Sequence, residues 1–317
     1  MATTETRQLD SIISSRRAML AIGGAALAGL AFAPKAEAQS TVTDNDILNF
    51  ALNLEYLEAQ FYNLAVSGVT IDKLPTPIGI SGVGGAGGTV TVKPGFAKVP
   101  FTSTTIQAYA AETAIEEGKH VSFLRSALGS LAVAMPNIDL LNSFNALASG
   151  AGIGAAFDPF ANDANFLIGA YIFEDVGVSA YHGAAGLITD KTKILPAAVG
   201  IHAVEAYHAG LVRTSINTLD AGTGTLNGLT QKISAFRAKL ANPSGTPVDD
   251  IGLTTVMVSL NGSAATYPAA TIVNADANSI GWSRTTSQIL AIVTGTAPTD
   301  TTHQGVFFPA GLNGTIK

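Results

Sequence analysis

The sequence contains no cysteine among its 317 residues. This absence excludes disulfide bonds, a thiolate nucleophile and every zinc or iron–sulfur site that depends on cysteine ligands. Any metal ion bound by this chain must therefore be held by glutamate, aspartate and histidine side chains.

Charged residues are scarce as well, at 13% of the chain. The 17 basic and 23 acidic residues give a net charge of −6, and no basic cluster or stripe of aromatic and basic residues occurs. Nucleic acid is therefore not an expected partner. The mean hydropathy of +0.33 comes mostly from alanine, valine and leucine scattered among polar residues, so no membrane segment is expected in the mature chain.

One uninterrupted apolar stretch lies near the N-terminus, and it has the features of an export signal. Arg16 and Arg17 precede the apolar residues 21–33, and Ala36-Glu37-Ala38 resembles a cleavage site. The arginine pair predicts a twin-arginine signal over residues 1–38 and a periplasmic or secreted protein. An uncleaved membrane anchor and an ordinary secretory signal are the alternatives.

Apolar residues at helical spacing predict an all-α core over residues 39–242. Four long helices are expected at about 44–67, 102–134, 164–187 and 195–219. A short helix is expected at 138–147, and a fifth amphipathic helix at 226–240 with Lys232, Arg237 and Lys239 on its outer side.

Two segments have a different composition. Residues 68–100 are rich in Gly, Val, Thr and Pro, which predicts a long loop or hairpin insertion after the first helix that serves as a lid or a spacer. Residues 243–317 are rich in Thr, Val, Ser, Asn and Gly, and their apolar runs at 254–260 and 288–293 predict a small β-rich C-terminal region.

The spacing of the glutamates and histidines indicates a metal-binding site. After residue 38 all seven glutamates lie in the four long predicted helices, and two of these helices contain Glu-x-x-His, as Glu117/His120 and Glu205/His208. Residues three apart on a helix lie on one face, so a carboxylate and an imidazole can bind one metal centre together. The other two helices supply Glu55 and Glu174.

A dinuclear carboxylate-bridged site in a four-helix bundle takes one Glu from each of two helices and Glu-x-x-His from each of the other two. The four long predicted helices supply these ligands. Four buried carboxylates would repel one another and take up protons unless two divalent cations neutralised them. Mostly oxygen ligands with one imidazole per metal favour two iron or two manganese ions, with zinc less natural. The expected ligands are Glu55, Glu117, His120, Glu174, Glu205 and His208.

The sequence leaves the roles of several neighbouring polar residues open. Glu58 is either a supporting partner of Glu55 or an alternative ligand, whereas Glu112 and Glu116 can simply face solvent. His182 and His202 are either extra ligands or, preferably, hydrogen-bonded core histidines. A last group consists of tyrosines that either donate hydrogen bonds to the carboxylates, the preferred role, or supply a radical site: Tyr62, Tyr181 and Tyr207.

Residues 48–62 and 173–183, together with the tail segments 274–276, 283–285 and 307–314, resemble the ferritin-like family that includes desiccation-related proteins. The similarity spans roughly residues 44–317, and the paired Glu-x-x-His motifs are its most specific part. The resemblance implies an antiparallel four-helix bundle with a di-iron or di-manganese centre.

Two functions of different classes fit these observations. The first is a di-metal oxidoreductase that acts on small oxygen species, such as oxygen, peroxide or superoxide, in stress defence outside the cytoplasm. The second is a non-catalytic metal-binding or structural stress protein whose C-terminal region mediates assembly. Iron storage in a cage is disfavoured because the insertion and the tail would obstruct shell packing, although a homo-oligomer is expected.

The export signal gives a direct test. Replacing Arg16 and Arg17 together by lysine should leave precursor in the cytoplasm, because the export receptor recognises the guanidinium pair and not charge alone. Immunoblots of cytoplasmic and exported fractions measure this. Unchanged export of the double variant would indicate the ordinary secretory route.

Overall fold

A computed structural model describes residues 42–245, 249–260 and 262–317 of the chain. The predicted export signal, residues 1–38, lies outside the described residues. Within them the chain forms seven α-helices and four short strands. The helices are α1 (Asp44–Ser67), α2 (Thr104–Leu128), α3 (Asn142–Gly150), α4 (Asp163–Ala185), α5 (Ile194–Asp220), α6 (Thr225–Ala241) and α7 (Thr286–Thr294). The strands are β1 (Val90–Thr91), β2 (Ile138–Asp139), β3 (Thr255–Ser259) and β4 (Thr266–Ala270).

Helix α1 has the bounds that the sequence predicts, and it lies at the centre of the fold. It begins at a capping box in which the side chains of Thr43 and Asp46 each accept from the other residue's backbone N–H, and it ends at Gly68, whose φ is 79°. Eighteen of its 24 residues are buried. A helix that is buried on nearly every face must be surrounded by other elements.

The four long helices pack in two pairs. Helix α1 lies along α2, and α4 lies along α5, while α1 also contacts α4 and α2 contacts α5. The aromatic core is centred on Phe61, whose ring stacks on Phe166 at 5.7 Å and meets Phe173 edge-on at 5.1 Å between ring centroids. These contacts join α1 to α4 and place their inner faces opposite one another.

The predicted end of the second helix, near residue 134, is wrong. Helix α2 stops at Leu128 because Gly129 adopts a φ of 58°, and a 3₁₀ turn follows at Gly129–Leu131. The chain then runs extended beside the Gly-rich segment, where Val83 N–H donates to Ala132 O at 2.9 Å and Ala134 N–H donates to Val83 O at 2.9 Å. The apolar residues 132–135 thus belong to backbone pairing and not to a helix.

The close approach of the two segments explains why glycine occurs at two positions within residues 68–100. A Cβ added to Gly82 would lie 2.2 Å from Ala132 O, and one added to Gly88 would lie 2.5 Å from Asn137 N. Only glycine allows so close an approach of two backbones. Beside them β1 pairs with β2 in parallel, so the helix predicted from residue 138 begins later, as α3 at Asn142.

The C-terminal region is not uniformly composed of strands. Strands β3 and β4 form an antiparallel hairpin, but the run predicted as a strand at 288–293 is helix α7. Thr285 and Gln288 form a capping box that starts this helix, and Gly295 ends it with a φ of 69°. Residues 289–293 are all buried, so their continuous apolar pattern reflects a surrounded helix. The predicted boundary near residue 243 stays a prediction, and Thr43–Lys317 form one compact unit.

The prediction that Arg237 lies on the outer side of α6 is wrong, because its side chain is only 3% exposed. Arg237 donates to Asp175 Oδ2 at 3.0 Å and to Asp250 Oδ1 at 2.9 Å. Arg213 also donates to Asp175, and Arg284 donates to Asp250 Oδ2 at 2.9 Å. These buried ion pairs connect α4, α5 and α6 to the C-terminal region. Among the residues described, no helix is both long and apolar enough to cross a membrane.

Removing Arg237 should therefore be costly. Arg237→Ala leaves two buried carboxylates short of a partner, and we expect the free energy of unfolding to fall by about 3–5 kcal/mol. Lys239→Ala, on the exposed side of the same helix, is the matched control and should change it by no more than about 0.5 kcal/mol. Urea unfolding measures both, and equal effects of the two variants would contradict the buried network.

Candidate metal centre

The structure brings all six predicted ligands together between the four long helices. Their metal-binding atoms fall into two overlapping groups, each with its atoms within 4.8 Å of one another. The first group contains Glu55, Glu117, His120 and Glu205, and the second contains Glu117, Glu174 and His208. Glu117 belongs to both, so it lies where a carboxylate can bridge two neighbouring positions.

The first position is built around the imidazole of His120. Its Nδ1 lies 3.2 Å from Glu55 Oε2, 3.5 Å from Glu117 Oε2 and 3.6 Å from Glu205 Oε1. These three acids come from α1, α2 and α5, and each is at most 1% exposed. One nitrogen and three carboxylates from three helices therefore surround one point.

The second position is built around His208. Its Nδ1 lies 2.9 Å from Glu117 Oε1 and 3.5 Å from Glu174 Oε2, and its other ring nitrogen, Nε2, contacts Glu116 Oε2 at 2.7 Å. The centroids of the two imidazole rings are 6.3 Å apart. Both histidines thus present Nδ1 to the acids, as expected from two equivalent Glu-x-x-His motifs.

Many of these buried atoms have no hydrogen-bond partner. Among the described residues no partner in hydrogen-bond alignment is found for either oxygen of Glu117 or Glu205, for Glu174 Oε2 or for His208 Nδ1, although His208 Nδ1 and Glu117 Oε1 are 2.9 Å apart. An unpaired buried polar atom costs about 1–3 kcal/mol, so six in one place need an explanation. Carboxylate oxygens and one imidazole per position are the donors that iron and manganese accept, and the residues present fit a pair of such ions.

Two tyrosines donate hydrogen bonds to the oxygens of Glu55 and Glu174 that do not face the histidines. Tyr62 on α1 donates to Glu174 Oε1 on α4, while Tyr181 on α4 donates to Glu55 Oε1 on α1. The hydrogen-bonding role preferred from the sequence is confirmed for these two residues, and each phenol reaches the acid of the opposite helix. For Tyr207 the prediction is wrong, because its side chain is 78% exposed.

Burial and mutual repulsion change the acidity of the carboxylates. Burial raises the pKa of Glu55 to about 7, despite the attraction of His120. Burial, reinforced by neighbouring carboxylates, also raises the pKa values of Glu58 and Glu205 well above their usual range, and that of Glu174 rises as well. The metal-free protein therefore retains protons on this cluster near neutral pH.

Glu117 behaves in the opposite way. Burial alone would raise its pKa, but the close approach of His120 and His208 to its oxygens outweighs burial and lowers it to about 2. Burial likewise opposes the charge on the two imidazoles, yet the surrounding acids raise the pKa of His120 to about 10 and that of His208 to about 12. Glu117, the acid shared by the two groups, is thus the most acidic carboxyl group of the cluster.

Glu58 and Gly177 complete the interior. Glu58 is buried one helical turn from Glu55, and its Oε1 would lie 3.5 Å from a Cβ added to Gly177. The same Cβ would lie 2.2 Å from Glu205 Oε2, so Gly177 gives the space that Glu205 occupies. Sequence reasoning missed Gly177, although it stands three residues after Glu174, where the other motifs have histidine.

The remaining candidates lie at the edge of the site. Glu116 does not simply face solvent, because its carboxylate contacts His208 Nε2, whereas Glu112 is exposed. His182 and His202 lie outside both ligand groups, with ring centroids 5.8 Å apart. His182 Nδ1 is 3.1 Å from Trp282 O, which fits the structural role preferred from the sequence.

Comparison with known families agrees with this architecture. A family model described as "Ferritin-like domain" matches residues 43–218, more than half of the chain. The chain belongs to this family. The ferritin-like domain begins at the cap of α1 and ends within α5, so it contains all four helices that carry the clustered acids and histidines.

Two relatives extend the similarity beyond the ferritin-like domain. "Desiccation-related protein PCC13-62" from Craterostigma plantagineum is 29% identical over 80% of this chain and 79% of the relative. "Ferritin-like catalase Nec2" from Nesocodon mauritianus is 25% identical over 86% of this chain and 84% of the relative. No solved structure shows a significant match to the chain.

The cluster predicts how the stability of the metal-free protein depends on pH. The folded-state pKa of Glu55, about 7, exceeds its ordinary value of 4.5, so its stabilising contribution is complete below pH 4.5 and is lost as the pH rises through 7. The raised pKa values of Glu58, Glu174 and Glu205 act in the same direction. His120, with a pKa of about 10 against 6.5, begins to lose its contribution above pH 6.5. Glu117, with its lowered pKa, loses its contribution only as the pH falls from 4.5 toward 2.

We therefore expect the free energy of unfolding of chelator-treated protein to fall by about 1–3 kcal/mol between pH 5 and pH 8. Urea titrations at several pH values measure this slope. Glu55→Gln should reduce the slope, whereas the exposed control Glu112→Gln should preserve it. A stability that rises over this interval would contradict the clustering of the acids.

Proposed function

We propose that the chain is an exported stress-defence metalloprotein whose four long helices form a four-helix bundle around two iron or manganese ions. The observation that carries this proposal is the convergence of buried, unpaired carboxylate oxygens and an imidazole nitrogen on two overlapping positions. His120, Glu55 and Glu205 would hold one ion, and His208 and Glu174 the other. Glu117 would contact both ions.

Charge balance supports a count of two. The proposed ligands comprise four carboxylates and two imidazoles, so the ionised carboxylates carry four negative charges when the histidines are neutral ligands. Two divalent cations neutralise them, and binding would displace the protons that the metal-free cluster retains. A single divalent cation would leave two buried negative charges without compensation.

The reaction that we propose is the disproportionation of hydrogen peroxide. A bound redox-active metal pair would pass two electrons from one peroxide molecule, which is oxidised to dioxygen and releases two protons, to a second, which takes up two protons and is reduced to two water molecules. The protein's contribution is positioning: Tyr62 and Tyr181 fix the outer oxygens of Glu174 and Glu55, and Glu116 holds the ring of His208. The relative named as a ferritin-like catalase supports this choice among small oxygen species.

The competing function is that of a non-catalytic metal-binding stress protein. It is supported by the relative named as a desiccation-related protein, which is more similar in sequence at 29% identity. Both relatives align over more of the chain than the ferritin-like domain covers, so the extent of the similarity does not discriminate between the two functions. Export by the twin-arginine route and a homo-oligomeric state are part of the same proposal.

Metal analysis tests the site. Mature protein reconstituted with Mn²⁺ or Fe²⁺ should hold about two ions per chain, and His120→Ala or His208→Ala should each lower this number by about one. His182→Ala is the matched control, because His182 lies outside both ligand groups, and it should keep two ions. Fewer than about half an ion per reconstituted wild-type chain would overturn the dinuclear site.

Oxygen release from peroxide then separates the two functions. An electrode should record dioxygen from wild-type protein and from His182→Ala, with the rate falling at least tenfold in Glu117→Gln. A protein that retains two ions but releases no dioxygen is a metal-binding stress protein, and the catalytic part of the proposal fails.

A further inference from the structure

A cleft of about 630 Å³ between α2 and α5 reaches the second metal position from outside. His208 forms part of its wall, and Glu116, whose carboxylate contacts His208 Nε2, also lines it. The exposed side chains of Glu112 and Tyr207 stand at its outer side. A path thus leads from solvent past two carboxylates to a buried imidazole whose Nδ1 has no partner among the described residues.

The outer part of this cleft is acidic, and the imidazole of His208 lies behind its carboxylates. Glu112 and Glu116 lie four residues apart, and therefore on the same face of α2. No lysine or arginine occurs among the described residues that line the cleft. Carboxylates at the mouth of a concave surface attract cations and raise their rate of entry.

A second cleft, of about 350 Å³, approaches the site from α1, α2 and the start of α5. Its walls are largely apolar, with Leu48, Phe123 and Ile201 among them, and it ends at Tyr181, which donates to Glu55. Lys193 and Asp190 both line it, so it has no excess of negative charge. The carboxylate of Asp190 already accepts hydrogen bonds from Thr192 and Lys193, so this cleft offers a hydrated divalent cation little to replace its water ligands.

We infer that the cleft between α2 and α5 is the route by which divalent cations enter the centre, with Glu112 and Glu116 as transient ligands before His208 and Glu117. This inference rests on the proposed metal site and deepens it. The two carboxylates replace part of the hydration shell before the ion reaches buried protein, and the unpaired oxygens of Glu117 then receive it. The ion fills the His208 position first.

A steric plug tests the route. Gly210 lines the cleft, and a Cβ added there meets no atom within 4 Å, so Gly210→Phe places a ring in open space within the cleft. Gly200→Phe is the matched control, because Gly200 lies on the same helix, has the same open surroundings and does not line the cleft. Neither change should unfold α5, since phenylalanine has a higher helix propensity than the glycine that it replaces.

The readout is the rate at which metal-free protein takes up Mn²⁺, with uptake stopped by excess chelator and the bound metal measured. We expect Gly210→Phe to slow uptake at least tenfold relative to Gly200→Phe, while both reach the same final content. We expect Glu112→Gln to slow uptake about threefold or more at about 0.01 M salt, and this difference to vanish at about 1 M salt. Asp190→Asn, in the second cleft, should leave the rate unchanged.

The outcomes distinguish this inference from the proposed function. Equal rates for the two phenylalanine variants, or slower uptake in Asp190→Asn than in Glu112→Gln, would overturn the route while leaving the metal site intact. A wild-type chain that holds no Mn²⁺ at equilibrium would overturn both. Normal final content with selectively slowed uptake in Gly210→Phe and Glu112→Gln supports the route.

Discussion

Repulsion among buried carboxylates is the constraint on which the interior of this protein depends. In the described part of the chain two imidazoles lie at the centre of the helical core, and five glutamates accompany them within it: Glu55, Glu58, Glu117, Glu174 and Glu205. No arrangement of these side chains alone satisfies all their charges and lone pairs, so protons or cations must enter. The phenols of Tyr62 and Tyr181, the space left by Gly177 and the contact of Glu116 with His208 all serve to hold these groups in place.

The sequence predicts the parts of the fold that depend on local spacing. Glutamate and histidine three residues apart share a helix face in any α-helix, so the convergence of Glu117/His120 and Glu205/His208 needs only that the two helices face one another. The bounds of α1 also depend on residues close together in sequence, since Thr43 caps its start and Gly68 ends it. All six expected ligands are found together, although their binding of metal remains a proposal.

Features that depend on tertiary neighbours are not predicted. Arg237 has the spacing of an exposed residue, and its burial depends on Asp175 and Asp250, which lie 62 and 13 residues away on other segments of the fold. The phenols of Tyr62 and Tyr181 cross to the opposite helix, which no single-helix pattern reveals. The apolar run in α7 fits a buried strand and a buried helix equally well, and only the capping pair Thr285 and Gln288 distinguishes the two.

The contact between Asn53 and Asn313 has a consequence for the order of folding. The two residues are 260 positions apart, and each donates to the other: Asn53 Nδ2 to Asn313 O at 2.8 Å, and Asn313 N–H to Asn53 Oδ1 at 3.0 Å. Phe307 also packs on Phe173, with ring centroids 4.9 Å apart. The helix that carries Glu55 therefore gains its last partners only after residue 313 has been synthesised. Until those residues have left the ribosome, the helical core lacks part of its packing, so its folding is completed only at the end of translation.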